Sequence, residues 1–154
     1  MATDPEGISC WQRLDATTTT SGRIAAGDID RLSAIGVRHV INLALEDSPG
    51  ALAGEAILMV AAGLHYTHIP VPFGAPDDAH FDAFQVALGS ISEPVHVHCI
   101  MNWRVSAFFY RYNREVRGMD EAAARALMEQ QWSPEASDNP DSPAWVRFIS
   151  AGAD

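Results

Sequence analysis

The fold can be inferred outward from the segment Val95-His96-Val97-His98-Cys99-Ile100-Met101-Asn102-Trp103-Arg104-Val105-Ser106. It begins as a short β-branched strand, continues into a His-Cys pair and a tight loop, and reaches an arginine where a helical pattern starts. A cysteine between the end of a strand and the start of a helix lies where free backbone N–H groups point outward. Such a position favours both a thiolate and a bound anion. The arginine adds a planar pair of donors suited to two phosphate oxygens.

Apolar periodicity around this segment alternates between strand-like and helix-like runs. Strands are predicted over residues 17–20, 37–43, 64–71 and 95–98, and helices over residues 28–35, 55–62, 105–117, 120–131 and 144–150, with one more helix carrying Phe81, Phe84 and Leu88. Asp120 is expected to cap the helix that follows it. Strands that alternate with helices build a central, largely parallel sheet covered on both faces. Ligands of such sheets bind beyond the carboxyl ends of the strands, where Cys99 falls.

The bulk composition limits the classes of partner. With 154 residues and a formal charge of −10, the chain is expected to form one domain over residues 1–154 and to bind neither nucleic acid nor an anionic membrane surface. No apolar run is long enough to span a membrane, and the N-terminus lacks the features of a signal peptide, so a cytoplasmic protein is expected. The 2 cysteines and 6 histidines show no metal-ligand spacing, so no metal is predicted. The oligomeric state is left open.

The central segment resembles the active-site loop of cysteine-dependent protein phosphatases of the tyrosine and dual-specificity type, in which His-Cys is followed by five residues, an arginine and Ser or Thr. Three upstream stretches look like landmarks of small bacterial phosphatase-like domains: Thr20-Ser21-Gly22-Arg23, Val40-Ile41-Asn42-Leu43 and His68-Ile69-Pro70-Val71. The likeness covers roughly residues 17–115. It implies a three-layer α/β fold with a mostly parallel sheet of four to five strands flanked by helices, and chemistry without a cofactor.

The resemblance implies roles for the residues of this loop. Cys99 would attack phosphorus to give a phosphocysteine that water then hydrolyses. His98 would orient the cysteine loop, and the hydroxyl of Ser106 would assist breakdown of the phosphocysteine. The expected phosphate-binding residues are Ile100, Met101, Asn102, Trp103 and Arg104.

The chain departs from the family pattern because four residues, not five, separate Cys99 from Arg104. In one geometry the loop is a residue shorter and Arg104 keeps the usual role of the arginine. In the other the loop length is unchanged, Ser106 stays in register and Arg104 has moved forward by one. Asn102 would stand where the family usually has glycine, and asparagine tolerates a left-handed backbone. The unchanged length is the favoured prediction, with Arg104 as the phosphate ligand in both.

The resemblance also implies a general acid, an aspartate on a separate loop that protonates the leaving oxygen. The corresponding segment here is Pro72-Phe73-Gly74-Ala75-Pro76-Asp77-Asp78. The register places the acid near Gly74, where this chain has no carboxylate. Asp77 and Asp78 are therefore the candidates, with His80 as a remote alternative. Both carboxylates could equally serve in the first turn of the next helix.

The leading hypothesis is a phosphatase for phosphate monoesters of the phosphotyrosine type, with dual specificity left open. Its substrate would be a phosphorylated protein or a small phosphate ester. Trp103 could shield the pocket or stack on an aromatic substrate, whereas Trp132 and Trp145 are expected to pack the C-terminal helices onto the core.

Two other functions fit parts of the segment. Sulfurtransferases of the rhodanese type also begin their loop with cysteine, and some have an arginine five positions later, as here. Their loops usually carry an arginine directly after the cysteine and an internal glycine, whereas this chain has Ile100 and no glycine. A catalytically weak phosphate-binding module is the third hypothesis, because the arginine is displaced and no acid is obvious.

Overall fold

The computed structural model describes residues 3–151 of the chain, and its framework is a five-stranded sheet. The strands are β1 (Gln12–Arg13), β2 (Thr18–Ser21), β3 (His39–Asn42), β4 (His65–His68) and β5 (Val95–His98). They lie in the order β1-β2-β5-β3-β4. The four longer strands run parallel, and β1 at the edge pairs antiparallel with β2. The prediction of a mostly parallel sheet is confirmed.

Six helices lie within the described residues 3–151. They are α1 (Asp28–Ala34), α2 (Glu55–Ala61), α3 (Asp78–Gly89), α4 (Trp103–Glu115), α5 (Glu121–Glu129) and α6 (Ser142–Ser150). In this part of the chain no helix has the length and apolar character needed to cross a membrane.

The two faces of the sheet bury their side chains in two separate apolar cores. On one face Val40 joins Leu32 of α1 and Met59 of α2. On the other face Ile41 and Val97 belong to a larger core formed with α3, α4, α5 and α6. Val40 and Ile41 lie in opposite cores because successive side chains of a strand point to opposite faces. The three-layer α/β architecture expected from the sequence is therefore confirmed.

Helix α4 runs through the middle of the larger core. All its residues from 104 to 113 are buried, as in a helix that is enclosed on every side. Phe108 of α4 packs near Trp145 of α6, with ring centroids 6.1 Å apart. Trp132 and Trp145 are both buried, as the sequence predicted. This enclosure fixes the N-terminus of α4 beside the end of β5.

Three local details differ from the sequence prediction. β1 was missed because two residues are too few for a period of two to be recognised. Helix α4 begins at Trp103 and not at residue 105, since Asn102 occupies the position before its first turn. Asp120 lies at the N-cap position of α5, but its side chain makes no capping hydrogen bond.

Candidate active site

Cys99 follows β5 directly and faces the larger core. Alternation along the strand sends Val95, Val97 and Cys99 into that core, while His96 and His98 lie on the opposite face. The Cys99 side chain is buried, with 1% of the residue exposed. It borders a cavity of about 260 Å³, here called the Cys99 pocket, which is lined by Pro49, Phe73, Cys99, Ile100, Met101, Trp103, Arg104 and Asn139.

The loop between β5 and α4 presents a run of backbone donors without acceptors. Across residues 3–151, none of the N–H groups of Ile100, Met101, Asn102 and Trp103 finds a backbone or side-chain acceptor. The first N–H groups of a helix have no acceptor within the helix and carry the positive end of its dipole. Free donors gathered beside Cys99 therefore form a cradle for an oxyanion.

Asn102 gives this loop its shape. It adopts the left-handed conformation, with φ of 64°, as its residue type suggested. Its side-chain Nδ2 donates to the carbonyl oxygen of Cys10 at 2.9 Å and to Oγ1 of Thr20 at 3.0 Å. The side chain thereby ties the loop to β2 and to the segment before β1. This anchoring holds the amides of the cradle in one orientation.

Gly22, which directly follows β2, packs closely against the same loop. A β-carbon at this position would collide with the carbonyl oxygen of Ile100 and lie 3.0 Å from its carbonyl carbon. The next residue, Arg23, donates its backbone N–H to that same oxygen at 2.8 Å. The contact of Gly22 and Arg23 with Ile100 leaves no room for a side chain between β2 and the cradle.

Replacing Gly22 with alanine is expected to weaken oxyanion binding because the Ile100 peptide must move. The loss of one hydrogen bond to a charged group, roughly 1.5–3 kcal/mol, corresponds to about a tenfold to hundredfold higher Kd. Calorimetric titration with tungstate measures this effect. Gly27→Ala is the matched control, since a β-carbon at Gly27 meets open space. Equal Kd values for the two variants would show that the close contact between Gly22 and Ile100 does not contribute to oxyanion binding.

Arg104 is the second residue of α4 and lines the pocket with Cys99. Its guanidinium is buried, and its Nη1 donates to the carbonyl oxygen of Val71 at 2.9 Å. The guanidinium carbon lies 5.7 Å from the centre of the Phe73 ring. Arg104 therefore lines the pocket with four residues between it and Cys99, as expected in both loop geometries, and the choice between the shorter and the unchanged loop stays a prediction.

Ser106 lies apart from this pocket. Its hydroxyl donates to the carbonyl oxygen of Trp103 at 3.1 Å, one turn back along α4. Its side chain borders a different, small cavity that Gln12 and Thr20 also line. The geometry does not support the hydroxyl role that the family register implied for Ser106.

His98 connects the cysteine to a buried carboxylate. Its Nε2 donates to Oε2 of Glu55 at 2.7 Å, and its Nδ1 lies 3.2 Å from the carbonyl oxygen of Cys99. Glu55, the first residue of α2, is 6% exposed, and this carboxylate benefits from the helix N-terminus. The sequence analysis missed Glu55, because nothing local signals a pairing across 43 positions. The orienting role of His98 stays a prediction.

His96 is held as a neutral ring beneath His98. Ser21 donates its hydroxyl proton to the carbonyl oxygen of Gly22, so it accepts from Nε2 of His96 at 2.8 Å. The Thr19 hydroxyl then donates to Nδ1, also at 2.8 Å. Burial lowers the pKa of His96 well below its usual value, and the nearby His98 lowers it further. His96 thus has a structural role with both ring nitrogens satisfied.

The free energy of unfolding is expected to decrease as pH falls below about 6.5. Below that pH the unfolded chain protonates His96 and the folded chain does not, so up to about 1.4 kcal/mol is lost per pH unit. Above pH 6.5 His96 is neutral in both the folded and the unfolded chain, so its protonation no longer affects the free energy of unfolding. Urea unfolding between pH 5 and 7.5 measures the slope. His96→Gln, whose amide can serve the same two hydroxyls, is expected to give a shallower slope; parallel curves would contradict this assignment.

The two candidate acids at the start of α3 have other partners. Asp77 caps the helix, accepting the backbone N–H of His80 at 3.0 Å, while Nδ1 of His80 accepts the backbone N–H of Asp77 at 3.2 Å. Asp78 pairs with the buried Arg111 at 2.8 Å. None of these side chains lines the Cys99 pocket. The structure therefore uses these residues to begin α3 and to hold it against α4.

Aromatic rings form the wall of the pocket next to Arg104. Trp103 stacks on Trp132 with centroids 4.7 Å apart and planes 5° apart. Phe73 lies 6.0 Å from Trp103, and its carbonyl oxygen accepts a hydrogen bond from Trp145 at 2.6 Å. Trp103 is thus part of a fixed stack, and the wall it forms with Phe73 suits an aromatic ring.

Comparisons with known proteins find similarity in sequence and in fold. Residues 12–110 match the family model described as beta-lactamase hydrolase-like protein, phosphatase-like domain. No curated protein sequence matches the chain.

Solved structures share the fold over nearly the whole chain. A DUF442 protein from Shewanella putrefaciens CN-32 is 28% identical, with a TM-score of 0.79 over 95% of this chain and 94% of that one. TpbA from P. aeruginosa, in complex with phosphotyrosine, is 22% identical, with a TM-score of 0.73 over 100% and 89%. Tk-PTP in its active form is 16% identical, with a TM-score of 0.67 over 90% and 95%. The resemblance to cysteine-dependent tyrosine phosphatases is confirmed.

Proposed function

The chain belongs to the phosphatase-like domain family of beta-lactamase hydrolase-like proteins, and on this basis we propose that it hydrolyses phosphate monoesters through a phosphocysteine. The observation that carries the proposal is the meeting of three groups at one pocket. Cys99 can attack phosphorus, the free amides of residues 100–103 can bind the phosphate oxygens, and Arg104 adds positive charge. Preorganised donors of this kind stabilise the charge of the transition state.

The donor arrangement fits a phosphate dianion better than a neutral group. Nη1 of Arg104 is occupied by the Val71 carbonyl, which fixes the guanidinium plane. Within the described residues, Nε and Nη2 of Arg104 have no acceptor, so they are available to two phosphate oxygens. The third phosphate oxygen would accept from the cradle amides. The bridging oxygen then points out of the pocket with its leaving group.

The pocket wall supports an aryl ester as the substrate. Phe73, Trp103 and the apolar side chains of Ile100 and Met101 surround the entrance. An aromatic leaving group would pack against them and gain from their burial. A relative of the same fold, TpbA, has been solved with phosphotyrosine. We infer that phosphotyrosine-type esters are the substrates of this chain.

Alkylation and turnover together test the proposal. The chain is expected to release phosphate from phosphotyrosine in the presence of EDTA and to lose this activity when iodoacetate modifies Cys99. Vanadate is expected to protect Cys99, as mapped by mass spectrometry, and not to protect Cys10, which serves as the internal control. Acid quenching during turnover is expected to trap one phosphate per chain on Cys99.

Two outcomes would replace this proposal with the alternatives. Transfer of sulfur from thiosulfate to cyanide, without phosphate release, would identify a sulfurtransferase. Tight vanadate binding without any Cys99-dependent turnover would identify a phosphate-binding module.

A further inference from the structure

The Cys99 pocket lacks a proton donor for the leaving oxygen. Among its lining residues, all within the described range, there is no carboxylate and no histidine. A leaving oxygen less acidic than a nitrophenol needs a positioned acid in the transition state. Asp77 and Asp78, at the start of α3, are occupied in capping and ion pairing. Another part of the chain must bring the acid to this pocket if unactivated esters are hydrolysed.

A carboxylate from the C-terminal part of the chain occupies the space above Gly74. A β-carbon built on Gly74 would lie 3.1 Å from Oδ1 of Asp141 and 3.5 Å from its Cγ. Gly74 directly follows Phe73, which lines the pocket. The carboxylate of Asp141 therefore stands where a side chain at position 74 would stand. It reaches this place from the turn before α6 and not from the loop that follows β4.

The turn that carries Asp141 is fixed to the pocket at two points. The side-chain oxygen of Asn139, itself a lining residue, accepts the backbone N–H of Asp141 at 2.9 Å. Trp145, one turn into α6, donates to the carbonyl oxygen of Phe73 at 2.6 Å. The carboxylate itself accepts no hydrogen bond and joins no ion pair within residues 3–151, and Asp141 does not cap α6 with its side chain. Asp141 is exposed.

We propose that Asp141 is the general acid of the phosphatase reaction, acting in place of the carboxylate that position 74 lacks. This inference rests on the proposed function. In the first step the Cys99 sulfur–phosphorus bond forms as the phosphorus–oxygen bond to the leaving group breaks, and the proton of the Asp141 carboxyl moves to the departing oxygen. In the second step the Asp141 carboxylate takes a proton from water, the water oxygen bonds to phosphorus, and the Cys99 thiolate leaves.

The test compares two substrates that differ in their need for an acid. Asp141→Asn is expected to lower kcat for phosphotyrosine by about 10²-fold or more, as general acids do, and to remove the basic limb of its pH profile. With p-nitrophenyl phosphate, whose leaving group needs little protonation, the loss is expected to be much smaller. Asp138→Asn is the matched control, because it removes the same charge from the same turn; we expect no leaving-group dependence in that variant.

The outcomes separate this inference from the proposed function. Wild-type turnover that depends on Cys99, together with equal behaviour of Asp141→Asn and Asp138→Asn on both substrates, would overturn the role of Asp141 and leave the phosphatase function intact. A leaving-group-dependent loss in Asp138→Asn, Asp77→Asn or Asp78→Asn, and not in Asp141→Asn, would assign the acid elsewhere. Absence of any Cys99-dependent turnover in the wild type would overturn both.

Discussion

Replacing Cys99 with serine is expected to lower kcat for phosphotyrosine by about 10⁴-fold or more, the scale seen when a nucleophile is removed. A hydroxyl is a far weaker nucleophile than a thiol at neutral pH, and no general base stands among the residues of the Cys99 pocket. The two side chains have similar shapes, so the fold and the cradle amides are expected to remain. Steady-state and single-turnover phosphate release measure the loss.

The matched control is Cys10→Ser, which changes the other cysteine of the chain. Cys10 contributes its carbonyl oxygen, and not its thiol, to the anchoring of Asn102, so kcat is expected to stay within about twofold of wild type. The Cys99→Ser variant is also expected to bind phosphotyrosine with little loss, because the amides and Arg104 are unchanged. Residual turnover in Cys99→Ser near the wild-type rate would show that another group attacks phosphorus.

Arg104→Lys is expected to lower kcat/KM for phosphotyrosine by about 10²- to 10³-fold, the typical effect of losing one transition-state donor. In the proposed function the guanidinium of Arg104 has two roles: Nη1 donates to the Val71 carbonyl oxygen, and the remaining N–H groups would donate to the phosphate. A lysine ammonium is a compact charge without the planar fork, so it cannot serve both acceptors in this geometry. Because lysine keeps the positive charge, the variant tests the planar donor geometry of the guanidinium and not its charge.

Arg114→Lys on the same helix provides the comparison. Arg114 also donates to a backbone carbonyl, that of Ile149, and also lies over an aromatic ring, that of Tyr110. The two variants are expected to lose similar thermal stability, whereas turnover falls in Arg104→Lys alone. If Arg104→Lys retained wild-type kcat/KM, the phosphate would be held by the cradle amides without help from this guanidinium.

Much of the fold follows from patterns within short windows of sequence. The parallel strands are short β-prone or apolar runs and the helices carry apolar residues at helical spacing, and the segment from Val95 to Arg104 contains strand, cradle and helix start in order. Asn102 could be assigned a left-handed backbone from its residue type and its place in the loop. These features are local, so the sequence predicts them well.

The parts of the site that were not predicted depend on contacts between distant segments. Glu55 reaches His98 from α2. Asn139 reaches the pocket, and Asp141 reaches Gly74, from a polar, turn-rich stretch that resembles any exposed loop. Ser106 does not line the Cys99 pocket, and its predicted role depended on a loop length that residue types alone do not fix. Asp77 and Asp78 are carboxylic acids, as the role requires. The Asp77 carboxylate instead accepts the backbone N–H of His80, and Asp78 forms an ion pair with Arg111.

The contact of Gly22 with Ile100 also bears on how the site responds to its ligand. Because Gly22 packs against Ile100 and the side chain of Asn102 is hydrogen-bonded to Thr20 of β2, the orientation of the amide dipoles is set when the protein folds. A phosphate that binds as proposed would therefore meet dipoles already oriented toward it, and the binding step would need little reorganisation. The conformation of this loop is therefore coupled to the folded sheet, and we expect it to persist for as long as the sheet remains folded.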